Sequence, residues 1–308
     1  MSRLATADVL PFLLITGVLL LLARLTGELF RKLKLPQVMG ELLVGIVMGP
    51  SCLQQFAPDF YQHFFTDQKN AGIAFDGLAR IGILLLLFVA GMEINLKNIR
   101  SKANSAMSIS ISGIIIPFAV GFGAAWYLNP YLFPDGADDL FSSSLFMGTA
   151  LSITALSVMA KILIDIDMLK SKFGNLLMTA AMIDDLIGWM LFSLVVTVAN
   201  LKHEGSFEGW QVMFMVIGFA TFILTIGRKL IHYCFVFSNK FLSRGGGTLS
   251  LAIIFCFFGA MFTEWLGLHA IFGAFLVGIA VGDSEHFSHR TKEMLHDVVT
   301  YIFAPLFF

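Results

Sequence analysis

Ala180-Ala181-Met182-Ile183-Asp184-Asp185-Leu186-Ile187-Gly188-Trp189 forms the centre of an apolar stretch from Phe173 to Ala199, with Lys172 and Lys202 beyond its ends. A helix needs about 20 apolar residues to cross a bilayer, and this stretch is long enough. The two aspartates therefore fall near mid-membrane, where each charge costs about 2.5–3.5 kcal/mol on insertion scales. Packing does not account for carrying that cost twice in adjacent positions. An ion or proton site does.

The rest of the chain fits a membrane setting. It is 57% hydrophobic and 13% charged, with 32 Phe and 15 Met, which excludes an ordinary soluble domain. The formal net charge of −1 says nothing about partners when charges are sorted by membrane side. No basic run interleaved with aromatics supports nucleic-acid binding, and no cofactor is expected. Cys52, Cys234 and Cys256 are far apart and lack metal-ligand spacing, so they read as buried thiols and not as a disulfide framework. The first apolar stretch, Val9 to Ala23, runs into Arg24, Arg31, Lys32 and Lys34, which suits a retained span better than a cleaved signal.

Ten hydrophobic segments are expected: Ala7–Phe30, Pro36–Gly49, Gly72–Met92, Ala106–Leu128, Phe141–Leu163, Phe173–Ala199, Trp210–Phe237, Thr248–Leu268, Ala270–Val281 and Val298–Phe308. The second and ninth are short and glycine-rich, a pattern of tilted, broken or interior helices. Basic residues gather after the odd-numbered segments (Arg31, Lys32, Lys34; Lys97, Arg100, Lys102; Lys161, Lys170, Lys172; Lys240, Arg244; Arg290, Lys292). The even-numbered ends are mostly acidic, with Asp59, Asp67, Asp135, Asp138, Asp139, Glu204 and Glu208. By the positive-inside rule the N-terminus faces outward and the protein is a multi-pass one of the cell (inner) membrane.

Two segments share the pattern G-x-x-L-V-G-I-x-x-G-x-S, one from Gly40 to Ser51 and one from Gly273 to Ser284. Upstream, Ala23-Arg24-Leu25-Thr26 echoes Ala260-Met261-Phe262-Thr263. On the expected topology the two copies cross in opposite directions, which makes an inverted repeat, the usual basis of alternating access. The first copy covers about residues 7–200. The second, about 248–308, is expected to be incomplete, cut inside its third helix, with no soluble regulatory domain expected.

The fifth segment holds Ser152, Thr154 and Ser157 within Leu151-Ser152-Ile153-Thr154-Ala155-Leu156-Ser157. Hydroxyls there can cap backbone groups freed by a helix break, and unwound carbonyls can coordinate a cation; they can equally bond back to their own helix. Asp184 and Asp185 project about 100° apart, so they are expected to do different jobs, one alternating between proton and cation. Asp76 and Arg80, at i and i+4, read as a local ion pair. Glu93, Asp165 and Asp167, at segment ends, read as solvated, as do His286, His289 and His296. Glu41 and Glu264 are weaker candidates for a helper role.

The run from Gly148 to Leu163, followed by Gly174 to Trp189, closely resembles bacterial and plant cation:proton antiporters of the Kef and Nap type. So do Leu35-Pro36-Gln37-Val38-Met39-Gly40-Glu41-Leu42, Phe88-Val89-Ala90-Gly91-Met92-Glu93 and Gly273-Ala274-Phe275-Leu276-Val277-Gly278. The resemblance implies an all-α antiporter fold, in a homodimer whose core moves against a scaffold. It also implies an unwound helix at Leu151–Leu156, with Leu151 and Ile153 contributing backbone. Asp185 matches the ion-carrying carboxylate. Asp184 matches the residue that is Asp in electrogenic members, and Thr154 matches the threonine at the break; Ser152 is added as a ligand. Lys161 stands where many members have arginine, and Ser157 where several have proline. The implied function is exchange of sodium, lithium or potassium for protons, with no enzymatic activity; the implied contacts are those ions and membrane lipid. Two alternatives are a Kef-type potassium efflux system and a non-transporting sensory or regulatory membrane domain on the same scaffold.

Overall fold

The computed structural model describes residues 6–62, 65, 69–93, 96–128, 140–154, 156–198, 209–241, 246–266, 270–284, 287 and 289–308. Among them the chain is helical throughout, with no strand. The helices are α1 (Thr6–Lys32), α2 (Gln37–Met48), the short α3 (Leu53–Phe56) and α4 (Pro58–Tyr61), α5 (Lys69–Met92), α6 (Leu96–Tyr127), α7 (Leu140–Ser152), α8 (Leu156–Asp165), α9 (Lys172–Val198), α10 (Gly209–Phe222), α11 (Arg228–Phe241), α12 (Gly246–Trp265), α13 (Ala270–Gly282), α14 (His289–Val298) and α15 (Ala304–Phe307). Single π turns, Ile223–Gly227 and Val299–Phe303, join α10 to α11 and α14 to α15.

Among the described residues each of the ten apolar segments is built of helix, the fifth with an interruption at Ile153–Thr154. Five stretches among the described residues are both long and apolar enough to cross a bilayer: Asp8–Lys32, Asn70–Met92, Ser105–Tyr127, Ile217–Ser238 and Gly247–Trp265. Leu140–Ser152 and Ala270–Gly282 are apolar but shorter. Leucines of α1 and isoleucines of α6 stay exposed, as they would against lipid, where apolar contact with acyl chains replaces a protein partner.

The most buried element is α13. From Phe272 to Val281 every residue is buried, and α5 and α12 flank it. Glycines make that burial possible. A Cβ on Gly278 would overlap the Phe88 carbonyl of α5, and one on Gly282 would overlap that of Met92. On α5, Gly91 takes the Phe275 carbonyl at equally close range. The two backbones therefore touch, the arrangement that small residues permit between apolar helices. Ends are fixed by polar contacts: Glu264 accepts the Ala270 N–H at 2.9 Å, and Lys292 donates to the Gly282 carbonyl at 3.0 Å. Glu264 thus caps α13. Gly278→Val should force α5 and α13 apart and cost about 1–3 kcal/mol; thermal unfolding in detergent measures it, and an unchanged midpoint would contradict the crossing described.

Two further contacts pair the repeated segments. The Thr26 hydroxyl of α1 donates to the Gly40 carbonyl of α2 at 3.0 Å. In the second segment Gly273 of α13 presses on Gly259 and the Thr263 hydroxyl of α12. Gly45 of α2 abuts the Phe308 carbonyl, while Gly278 of α13 abuts that of Phe88.

Candidate functional site

Helical structure stops at Ser152, leaves Ile153 and Thr154 non-helical, and resumes at Leu156; Ala155 lies outside the described residues. The interruption splits one apolar segment into α7 and α8. The Ser152 hydroxyl is buried and donates back to the Thr149 carbonyl at 2.9 Å. It therefore uses its proton to close its own helix and keeps only oxygen lone pairs for any ion. Leu151 and Ile153 turn their side chains to exposed positions, so backbone is what they can contribute at the break.

The break lies against α9 because Gly188 lets it. A Cβ on Gly188 would sit 2.8 Å from the Ile153 side chain. Gly188 is one turn after Asp184 and shares its face. Asp184 is buried, 8% exposed. The hydroxyls of Thr154, at the break, and Ser110, on α6, face its carboxyl. Yet Asp184 Oδ1 and Ser110 Oγ each lack a hydrogen-bond partner. The Ser110 hydroxyl is a donor that faces the carboxyl without reaching Oδ1 at hydrogen-bond length, which leaves a buried acceptor oxygen free for a proton or a hard cation. Ser110 escaped the sequence reading because α6 has several serines in lipid-like surroundings. Only its full burial distinguishes it from Ser112, which bonds back to its own helix at 2.6 Å. Asp185 follows on α9; its side chain lies outside the described residues, as does that of Ser157. Among the described residues no three His, Cys, Asp or Glu side chains gather as a metal site.

A second buried polar group sits where α2 meets α8. Asp165 is not solvated as expected: its side chain is 4% exposed and lies 3.2 Å from the Lys161 ammonium. Its other oxygen accepts the Val38 N–H at 3.0 Å. This is the first turn of α2, where free backbone donors and the helix dipole favour an anion. Pro36, just before the helix, fixes the entry of the chain there. Lys161 and Glu41 are each 1% exposed, 3.6 Å apart. Lys161 also donates to the Thr300 carbonyl at 3.5 Å. In the π turn the Ala304 N–H bonds to Val299; the next such bond would run from residue 305 to Thr300, and Pro305 has no N–H to give. Lysine fills the vacancy. Composition hides this network, because it joins three elements far apart in the chain: α2, α8 and the π turn Val299–Phe303.

The expected Asp76–Arg80 pair forms, at 2.7 Å on an exposed face. Glu93 is a correction: its side chain is 17% exposed and pairs with Lys170 at 3.4 Å. Both line a cavity of about 400 Å³ with Asp167, Lys292, His296 and Asp297. His296 is half-buried on α14, not in a solvated loop; His286 and the His289 side chain lie outside the described residues. Burial holds His296 below the ordinary histidine range, against the pull of Glu93 and Asp297 in the other direction; Lys170 and Lys161 add to the lowering. Between the lowered value and the ordinary one of about 6.5, the unfolded chain binds more protons, so stability rises with pH there. Melting temperature in detergent should fall as pH drops below about 6.5, and His296→Asn should remove part of that fall. An identical acid dependence in the variant would refute the assignment.

Residues 17–308 match the sodium/hydrogen exchanger transmembrane family. Na(+)/H(+) antiporter NhaS4 of Synechocystis sp. is 31% identical over 293 residues, which is 94% of this chain and 70% of the relative. Cation/H(+) antiporter 17 of Arabidopsis thaliana is 32% identical over 310 residues, 97% of this chain but 36% of the longer plant protein. Na(+)/H(+)-K(+) antiporter GerN of Bacillus cereus is 28% identical over 292 residues, 95% of this chain and 68% of the relative. Family and relatives are transporters and not enzymes. With its apolar helices and a match across nearly its whole length, this multi-pass membrane protein belongs to the sodium/hydrogen exchanger family.

Proposed function

We propose that this chain exchanges a monovalent cation for protons by alternating access, within the Kef and Nap branch and its double-aspartate subgroup. The observation that carries the reading is the helix break at Ile153–Thr154 held against the Asp184 face of α9, where buried oxygens lack partners. Asp185 carries cation and proton in turn and Asp184 assists. Thr154, Ser152 and the backbone of Leu151 and Ile153 complete an oxygen cage for the ion. Carboxylate, hydroxyl and carbonyl oxygens suit a small hard cation. A carboxylate that keeps its proton until a cation displaces it couples the two fluxes.

Ten spans with the N-terminus outside, an inverted repeat over about 7–200 and 248–308, a homodimer in lipid, and the cell membrane complete the proposal. The matched contacts Thr26–Gly40 and Thr263–Gly273 support the repeat. Named ion preferences differ among relatives: sodium for the Synechocystis protein, sodium and potassium for that of Bacillus cereus, and potassium for the K(+)/H(+) antiporter 1 of Saccharomyces cerevisiae. The test is therefore relaxation of a pH gradient in proteoliposomes on adding sodium, lithium or potassium. Relaxation with at least one ion is expected. None with any ion, in protein shown to be folded, would sink the proposal and leave the sensory or regulatory alternative.

A further inference from the structure

Outside the proposed ion site, one buried ionisable group has no use yet. Lys161, Asp165 and Glu41 form a cluster of two acids and one base, all almost fully buried. If all three were charged the cluster would hold a net negative charge in a low-dielectric interior, a costly state. Their hydrogen bonds show where the charge can be removed. Asp165 has what a carboxylate needs: the Lys161 ammonium on one oxygen and the Val38 N–H on the other. Both oxygens of Glu41 are buried and accept no hydrogen bond. Its distance to Lys161, 3.6 Å, exceeds hydrogen-bond length. The other charged group facing it is Arg24 of α1, whose guanidinium lies over the Tyr301 ring, 5.1 Å from its centroid. On the last helix the Thr300 carbonyl is already engaged by Lys161 and Tyr301 lies under Arg24, while Pro305 to Phe308 line a cavity with Glu41.

We propose that Glu41 is a proton-binding site distinct from the aspartate pair, one that holds a proton in this arrangement and releases it when Lys161 closes to hydrogen-bonding distance. The proton leaves the Glu41 carboxyl for water, Lys161 stays an ammonium, and the cluster returns to its former charge when the proton rebinds. The geometry supplies the drive. Lys161 and Asp165 lie on α8, which begins at Leu156, directly after the break. Any shift of α8 as the break takes or loses an ion carries the ammonium past Glu41 on α2. The link to transport rests on the proposed exchange; the proton on Glu41 does not.

Two readouts separate these. Infrared difference spectra between acid and alkaline pH, on the full chain in lipid, should show loss of a protonated-carboxyl band. That band should be missing in Glu41→Gln and present in Asp184→Asn and Asp185→Asn. In proteoliposomes, Lys161→Arg, whose longer fork stabilises an ionised Glu41, should shift the pH dependence of exchange toward acid by about one pH unit or more, a tenfold change in proton affinity. Glu41→Gln should flatten the same profile. A band unchanged by Glu41→Gln, or unshifted profiles in both variants, would overturn the proposal. If Glu41→Gln fails to fold, the Lys161→Arg shift alone decides. A band that behaves as expected in protein that moves no ion would uphold the proton site and refute the exchange.

Discussion

Asparagine at position 185 is expected to abolish cation-driven relaxation of a pH gradient, leaving no rate above that of empty vesicles. The substitution keeps the size of the side chain and removes its titratable proton and its charge. Asp184→Asn should act differently. It faces the hydroxyls of Ser110 and Thr154 in a buried pocket, where an amide can still make hydrogen bonds but brings no charge. Exchange should fall at least about tenfold, a loss of roughly 1.4 kcal/mol in transition-state terms, and the residual flux should depend less on membrane potential. Equal, complete loss in both variants would mean the two aspartates are not divided in role. Normal flux in Asp185→Asn would remove it from the cycle altogether.

The second large effect is on stability. Lys161→Met should destabilise the protein by about 3–5 kcal/mol, the usual cost of removing one partner from a buried ion pair. It strips Asp165 of its cation and the Thr300 carbonyl of its donor at once. Proton uptake by either acid would lower the penalty, so the loss should be smaller in acid. Adding Asp165→Asn to Lys161→Met should recover part of the loss, because a neutral pair no longer needs the ammonium. Denaturant or thermal unfolding in detergent measures both. Additive losses in the double variant would show that Lys161 and Asp165 are not coupled.

What the sequence carried was the part of the protein written in local pattern. Apolar runs in lipid must satisfy their own backbone groups, so among the described residues the expected segments are helical apart from the break in the fifth. The family could be recognised from the motifs around Gly148–Leu163 and Asp184–Asp185. The hydroxyls of Ser152, Thr154 and Ser157 left a break and an unbroken helix equally open; the family resemblance placed the interruption within Leu151–Leu156, and helical structure stops at Ile153–Thr154. A carboxylate in an apolar run marked Asp184. The short glycine-rich segment at Ala270–Val281 announced a close crossing, though not with which helix. Asp165 and Glu93 were misjudged for the same reason: position near a segment end predicts solvation only if no neighbouring helix covers it.

Tertiary structure alone decided what depends on partners far apart in the chain. Lys161 meets Glu41 across 120 positions and the Thr300 carbonyl across 139. Val38 meets Asp165 across 127, and Ser110 reaches Asp184 from another helix. Hydropathy reports the cost of placing each group in lipid; it does not report which second group repays that cost, because the pairing is fixed by how helices cross. The sequence by itself determined a helical membrane protein and set two adjacent aspartates inside a long apolar stretch. The packing of α2, α8 and the last helix decided that a further buried carboxyl, Glu41, stands beside a lysine and still lacks a hydrogen bond.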